Sequence, residues 1–420
     1  MIKVITGVKG CGTTYLLDVL FRNYLLTNGY TENQIFSINL EDDTYSLIRN
    51  PIDLGKYLRS ILPKDKKAFL FIDEIQRCET IANPAFIGYQ TIDGHIPTVS
   101  FYSVLNGLLN NYPNVDVFVT SSNSKMLSTD VLTDFRGRGW EIKLYPLSFK
   151  EYVEADESAD KKLAFEQYLT YGSMPAILSL ESEREKIAYL NNLMTETYIK
   201  DVVERNKLSS DNVLRNVLEL VASNTGSLMT INKLTNAFKS AVDKNISRAQ
   251  LSTYITYLEE AMLIDEVRRY DIRGKRLLSS GKKYYFVDTG LRNSLLNYRQ
   301  KDYGHLMESI IYYELKRRGY SVNIGAVDVF ETNKDNTREE KHLEIDFIAE
   351  NGDKRFYIQS AYEINNEEKL IQESRSLLKV NDCFRKLIIE NDLNETYYDK
   401  NGILHIGIIE FLLNEDILKY

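Results

Sequence analysis

The sequence predicts an α/β fold: a mostly parallel sheet with a helical lid, then a winged helix, then a C-terminal α/β domain. Three observations predict it. Over residues 1–147 short apolar runs (IKVIT, IFSINL, AFLFIDE, VDVFVT, EIKLYP) alternate with amphipathic segments such as TYLLDVLFRNYLL, the pattern of strands joined by crossover helices. Residues 207–297 carry three helical periodicities and then two basic strand patterns, the ingredients of a winged helix. From residue 298 a helix around Glu308 precedes strand patterns near Val322, Ile345, Tyr357 and Ile388.

Each element follows from its own residues. In a parallel sheet the carboxyl ends of the strands carry ligands, so Gly7, Asp73 and Thr120 are expected on one edge. Residues 148–206 turn helical, with Leu190, Leu193, Met194 and Tyr198 at one-face spacing, and read as the lid. The next three helices are marked by Val213, Val217 and Leu220, by Ile231, Leu234 and Phe238, and by Leu251, Ile255, Leu258 and Met262; the strand patterns are EVRRYDIRGKRLL and KKYYFVD. The helix around Glu308 is expected to stop at Gly319, which suits a left-handed cap. The connection from Glu74 to Phe101 is longer than ordinary loops and reads as a functional flap, while NKDNTREEKH at 333–342 reads as a solvated loop.

The chain's 420 residues allow two to four domains. With 52 Lys and Arg against 60 Asp and Glu, the net charge of -8 excludes a uniformly basic nucleic-acid coat but leaves room for a local basic face. There is no apolar run of about 18 residues, so no membrane helix is expected and a cytoplasmic protein is the default. Cys11, Cys78 and Cys383 lack the spacing of a zinc site or a disulfide framework and are expected to be reduced thiols.

The chemistry-bearing motifs sit at the strand ends. Gly7-Val8-Lys9-Gly10-Cys11-Gly12-Thr13-Thr14 follows a strand and opens a helix, the context of a phosphate-binding loop whose amides and helix terminus favour anions. The standard pattern has lysine where this chain has Thr13; losing a charged hydrogen bond costs roughly 1.5–3 kcal/mol, so binding is expected to outlast hydrolysis. Lys9 is an available substitute, although its place in the loop is expected to aim it away from the phosphates. The bland alternative is a glycine-rich turn with no ligand. Thr14 offers a hydroxyl to Mg²⁺, Asp73 suits the same cation and Glu74 suits polarising a water, against the alternative of an acidic helix cap. Thr120, Ser121, Ser122 and Asn123 end another strand in groups able to orient that water, and Arg136 and Arg138 are arginine-finger candidates.

These residues resemble a prokaryotic AAA-type ATPase family that joins such a module to a winged helix and a C-terminal domain similar to restriction-endonuclease-like nucleases. The resemblance runs nearly end to end, through ITGVKGCGTTYLL, INLED, FIDEIQ, NVDVFVTSSNSKML, FRGRGWEIKLYPLSFKEY, YGSMPAI, KDVVERNK, RYDIRGKR, YYFVDTGLRN, EIDFIA and YIQSAY. It implies ATP with Mg as ligand, a Walker A motif at Gly7–Thr14, a Walker B pair at Asp73 and Glu74, a sensor at Asn123 and a finger at Arg138. It also makes Tyr171-Gly172-Ser173-Met174-Pro175 similar to a motif that closes over the nucleotide, with Pro175 in contact. The implied domains are 1–147, 148–206, 207–297 and 298–420.

Two features of the second half bear on function. A nuclease of the restriction type needs a helix Glu, a strand Asp and a Glu-x-Lys; Glu308 and Asp346 are present, but Gln359-Ser360-Ala361 replaces the third element and removes the lysine. Arg268, Arg269, Arg273, Lys275, Arg276, Lys282 and Lys283 form a basic hairpin suited to duplex DNA phosphates. The leading expectation is a protein that binds ATP with Mg, hydrolyses it weakly or not at all, and couples nucleotide state to these domains. The alternatives are a non-catalytic DNA- or protein-binding module with a relic loop, and a metal-dependent nuclease.

Overall fold

The computed structural model describes residues 1–86, 96–122, 135, 137–156, 160–208, 211–242, 245–332 and 338–419. The chain divides into two units, Met1–Tyr145 with Glu260–Met262, and Pro146–Glu259 with Leu263–Tyr420. No helix among the described residues is long and apolar enough to cross a membrane.

The first unit holds strands β1 (Ile2–Gly7), β2 (Ile35–Asn39), β3 (Ala68–Asp73), β4 (Ile81–Ala82), β5 (Thr98–Val99), β6 (Val115–Ser121) and β7 (Gly139–Leu144). Five make one parallel sheet in the order β2-β3-β6-β1-β7, while β4 and β5 pair with each other inside the long connection after Glu74. A parallel sheet is covered on both faces, so its inner strands read as unbroken apolar runs; all six residues of β3 are buried. Alternation sends Val4, Leu70, Ile72 and Val119 to one face, against Leu54, Leu58, Leu105 and Leu108, and sends Ile5, Phe69 and Phe71 to the other, against Leu17 and Leu25. The last two belong to a continuous helical run from Thr13 to Thr27, π-type over Leu16–Phe21. Register then aligns the ends: Thr6 lies opposite Ser121 and Asn39 opposite Asp73, so the loop after Gly7 and the tips of β3 and β6 emerge on one edge.

The second unit is built on β8 (Ile264–Asp271), β9 (Arg276–Phe286), β10 (Ser321–Thr332), β11 (Arg338–Asn351), β12 (Lys354–Ala361), β13 (Arg385–Glu390), β14 (Tyr397–Tyr398) and β15 (Leu404–Gly407). They form one mixed sheet in the order β14-β15-β13-β12-β11-β10-β8-β9. The basic hairpin is thus the end of a larger sheet, with β8 parallel to β10 through Arg269 and Ile324. Its turn falls earlier than EVRRYDIRGKRLL suggests: the Gly274 amide donates to Asp271 Oδ1 at 2.8 Å and Lys275 takes a positive φ of 51°, so Arg276-Leu277-Leu278 already belongs to the return strand. Helices Asn212–Ser223, Ile231–Ala241 and Tyr303–Arg317 lie where the periodicities predict, and Gly319 closes the last with φ 81°.

Two of the motifs meet in this unit. Buried Asp288 caps helix Thr289–Leu295 by accepting from the Leu291 amide at 2.9 Å, and its other oxygen accepts from the Ser173 amide at 2.6 Å. Thr289 Oγ1 and Asn293 Nδ2 donate to the carbonyls of Tyr168 and Thr170 at 3.0 and 2.9 Å, stapling this helix to the end of helix Lys161–Tyr171. The approach is so close that a Cβ on Gly290 would stand 2.0 Å from the Tyr171 carbonyl oxygen. Gly290→Ala is expected to destabilise the protein by about 2–4 kcal/mol in urea unfolding, because the obstacle is backbone. Gly304→Ala, whose Cβ meets nothing nearer than 3.9 Å, serves as the near-neutral control.

Candidate functional site

The loop at residues 7–14 is compact for steric reasons. A Cβ on Gly7 would meet Cys11 Sγ at 2.4 Å and the Leu144 carbonyl at 2.7 Å, while Gly10 and Gly12 take left-handed φ values of 85° and 102°. The Cys11 amide donates to the Val8 carbonyl at 3.0 Å, curling the chain, and the first helical bond runs from the Leu16 amide to Gly12 at 2.8 Å. The amides of Thr13, Thr14 and Tyr15 therefore precede any intrahelical acceptor, which is the anion-binding end of a helix. Burial pushes the Cys11 thiol up to about 12, so it packs the loop and is no nucleophile at neutral pH.

Asp73 ties three segments together. Thr14 Oγ1 donates to Asp73 Oδ2 at 2.7 Å, and Thr120 Oγ1 donates to Oδ1. Thr120 Oγ1 in turn accepts from the Glu74 amide at 2.9 Å, fixing Glu74 in a left-handed turn with φ 53°. The Glu74 carboxylate is buried and accepts from Ser122 Oγ at 3.1 Å and from Gln76 Nε2. Burial, followed by the charge of Asp73, raises the Glu74 carboxyl above its ordinary range. Beside these tips Lys9 Nζ lies 2.9 Å from Glu41 Oε1, which also receives Arg77 at 3.1 Å. Gln76, Glu41 and Arg77 had no signal of their own in the sequence beyond their nearness to the two acidic runs.

Other sequence candidates fall elsewhere. Asn123 and Arg136 lie outside the described residues. Arg138 does not meet the loop: it precedes β7, its carbonyl accepts from the Ile2 amide at 2.8 Å and its guanidinium donates to Asn110 at 2.7 Å. Ile2 begins β1 and the loop follows its end, so Arg138 sits at the opposite edge of the sheet, roughly 16 Å away at about 3.3 Å per residue. Tyr171–Pro175 belongs to the second unit, where Ser173 is held by Asp288.

The second unit gathers a cluster that the sequence places only in part. Glu308 and Asp346 do come together, but around Lys283, which is 3% exposed and therefore no part of a DNA-facing surface. Its ammonium lies 3.0 Å from Glu308, 2.8 Å from Glu344 and 3.5 Å from Asp346. Tyr285 donates to the same Glu308 oxygen at 2.9 Å, His305 Nδ1 is 3.3 Å from the other, and the Ser360 amide donates to Asp346 at 2.9 Å. Despite burial, Lys283 and His305 hold the Glu308 carboxyl low, whereas burial and the Glu308 charge raise Asp346. Glu308, Asp346 and Gln359 border an open cavity of about 550 Å³. These donors do not fit a nuclease metal centre: the cationic position is filled by Lys283, and among the described residues no group of three or more His, Cys, Asp or Glu side chains could hold a metal ion. The hairpin's positive charge is also reduced, since Glu266 receives Arg268 at 3.3 Å and Lys282 at 2.6 Å and Asp271 lies 3.8 Å from Arg276, while Arg273, Lys275 and Arg276 are exposed at the tip.

Two family models match the chain in succession. A family model described as an AAA domain matches residues 1–153, and one described as a domain of unknown function (DUF8612) matches residues 162–302. An uncharacterized protein of Haemophilus influenzae is 31% identical over 98% of this chain and 94% of its own length. An uncharacterized protein of Methanocaldococcus jannaschii is 28% identical over 93% and 82%. Among solved structures, Cdc6p from Pyrobaculum aerophilum covers 74% of this chain and 88% of its own, at 15% identity and a TM-score of 0.26.

Two stability measurements check the electrostatics. A carboxyl whose pKa rises on folding stabilises the fold fully only below its unfolded value near 4.3, and that contribution is lost as pH rises through the folded value. Glu74→Gln is therefore expected to melt above wild type at pH 7.5 and to match it near pH 4. Lys283→Met strips the counter-charge from buried carboxylates and is expected to cost about 3–5 kcal/mol of unfolding free energy at neutral pH.

Proposed function

This chain belongs to a prokaryotic AAA-type ATPase family in which an AAA domain precedes a domain of unknown function, and we propose that its first unit binds ATP with Mg at Gly7–Thr14 and turns it over slowly or not at all. The observation that carries this reading is the 2.7 Å bond from Thr14 to Asp73, which puts a hydroxyl and a carboxylate at the mouth of a loop of converging amides. Both are oxygen donors of the kind Mg²⁺ prefers, and one or two such donors suffice where phosphates and water complete its shell. Mg²⁺, when bound, supplies positive charge against the phosphate oxygens.

The rest is work for the chain's own groups. Backbone amides of Gly10, Gly12, Thr13 and Thr14 hold the phosphates. Glu74, with a raised proton affinity and a carboxylate positioned by Ser122 and Gln76, is the general base for a water. Asn123, next along the chain from Ser122, orients that water. Arg138, distant from its own loop, acts only on the nucleotide of a neighbouring copy. Residues 148–206, read as the lid, and residues 207–297 and 298–420 respond to nucleotide state. Any contact with duplex DNA falls to the exposed cations of the hairpin, Arg268, Arg273, Lys275 and Arg276.

Thr13 sets the rate. With Mg-ATP at about 100 times its dissociation constant, unfolding is expected to require roughly 2.7 kcal/mol more than without it; an unchanged melting curve at millimolar nucleotide removes the reading. Thr13→Lys is expected to raise ATP turnover by roughly 10- to 100-fold, as one charged hydrogen bond allows.

A further inference from the structure

We infer that Lys9 is the phosphate-binding lysine of this loop, held on Glu41 until the terminal phosphate of a nucleoside triphosphate displaces that carboxylate. The inference rests on the reading of the loop as a nucleotide site and names the group that replaces the charge absent at Thr13.

Lys9 is the only cationic side chain between Gly7 and Thr14. Its place in the loop suggests that it points away from the phosphates; its partner says otherwise. Glu41 stands two residues beyond Asn39, which pairs with Asp73, and the intervening Leu40 donates its amide to the Asp73 carbonyl at 3.1 Å. A lysine bonded to Glu41 at 2.9 Å is therefore turned toward the strand tips that carry Asp73 and Glu74. Its charge also acts on the Glu74 carboxyl, where it opposes the effect of burial. Glu74 is the base for a water that would attack the terminal phosphate, so a cation on that side meets the terminal phosphate before the inner ones.

The present bond is easily exchanged. Side chains of Lys9 and Glu41 are 31% and 43% exposed, and so open an ion pair is worth little in water. Polyphosphate offers the ammonium more negative charge than one carboxylate does, in bonds of the stronger, charge-assisted kind. Glu41 is not stranded by the exchange, because Arg77 stays at 3.1 Å from the same oxygen. A lysine on a flexible four-carbon stem suits such a change of partner.

Calorimetric titration of the full-length chain with Mg-ATP and Mg-ADP tests this. Wild type is expected to bind ATP more tightly than ADP. Lys9→Met is expected to weaken ATP about 10- to 100-fold while leaving ADP nearly unchanged, so that the preference disappears. Glu41→Gln is expected to tighten ATP in the wild-type background and to have no effect beside Lys9→Met, and Thr13→Lys is expected to restore ATP affinity to Lys9→Met. Circular dichroism melts without nucleotide establish that each variant is folded. Equal ATP affinities and ATP/ADP ratios for folded wild type and Lys9→Met overturn the inference alone. Failure of the wild-type chain to bind either nucleotide overturns the nucleotide reading and the inference together.

Discussion

The first unit depends on one buried carboxylate. Asp73 is 4% exposed, and a charge at that depth persists only if its oxygens are satisfied. It recruits a hydroxyl from the helix that opens after the loop, Thr14, and another from the neighbouring strand, Thr120. Because Thr120 also takes the Glu74 amide, the turn at Glu74 is fixed by the same hydroxyl that satisfies Asp73. Loop, β3 and β6 are thereby locked at one edge of the sheet. The parallel register makes this possible, since it ends all three strands at nearly the same height.

Much of this arrangement is legible in the residues, for a simple reason. Buried parallel strands are apolar on both faces, so IKVIT, AFLFIDE and VDVFVT announce themselves, and parallel pairing then brings their carboxyl ends together without further information. Contacts set by pairings between distant segments are not announced. Arg138 looks like a finger because it stands in DFRGRGWEI; only the register of β7 against Ile2 reveals that it lies at the wrong edge. Lys9 looks misdirected until Glu41, thirty-two residues on, supplies a direction. Lys282 and Lys283 are indistinguishable as members of a basic run, yet a strand turns consecutive side chains to opposite faces. Lys282 reaches Glu266 on the hairpin, while Lys283 shares the buried face of Tyr285 and meets Glu308.

The two units solve one electrostatic problem in opposite ways. Each buries carboxylates, but the partners differ in charge. Around Asp73 the donors are the hydroxyls of Thr14 and Thr120, which satisfy lone pairs and leave the negative charge in place for a cation arriving with phosphate. Around Glu308 and Asp346 a lysine enters from the adjacent hairpin, so the charge is compensated from within and β9 is bound to helix Tyr303–Arg317 and to β11. A centre compensated by its own ammonium gains little from a divalent ion, whereas removing that ammonium leaves carboxylates buried and unpaired. The first cluster is therefore arranged to receive charge and the second to hold the sheet together.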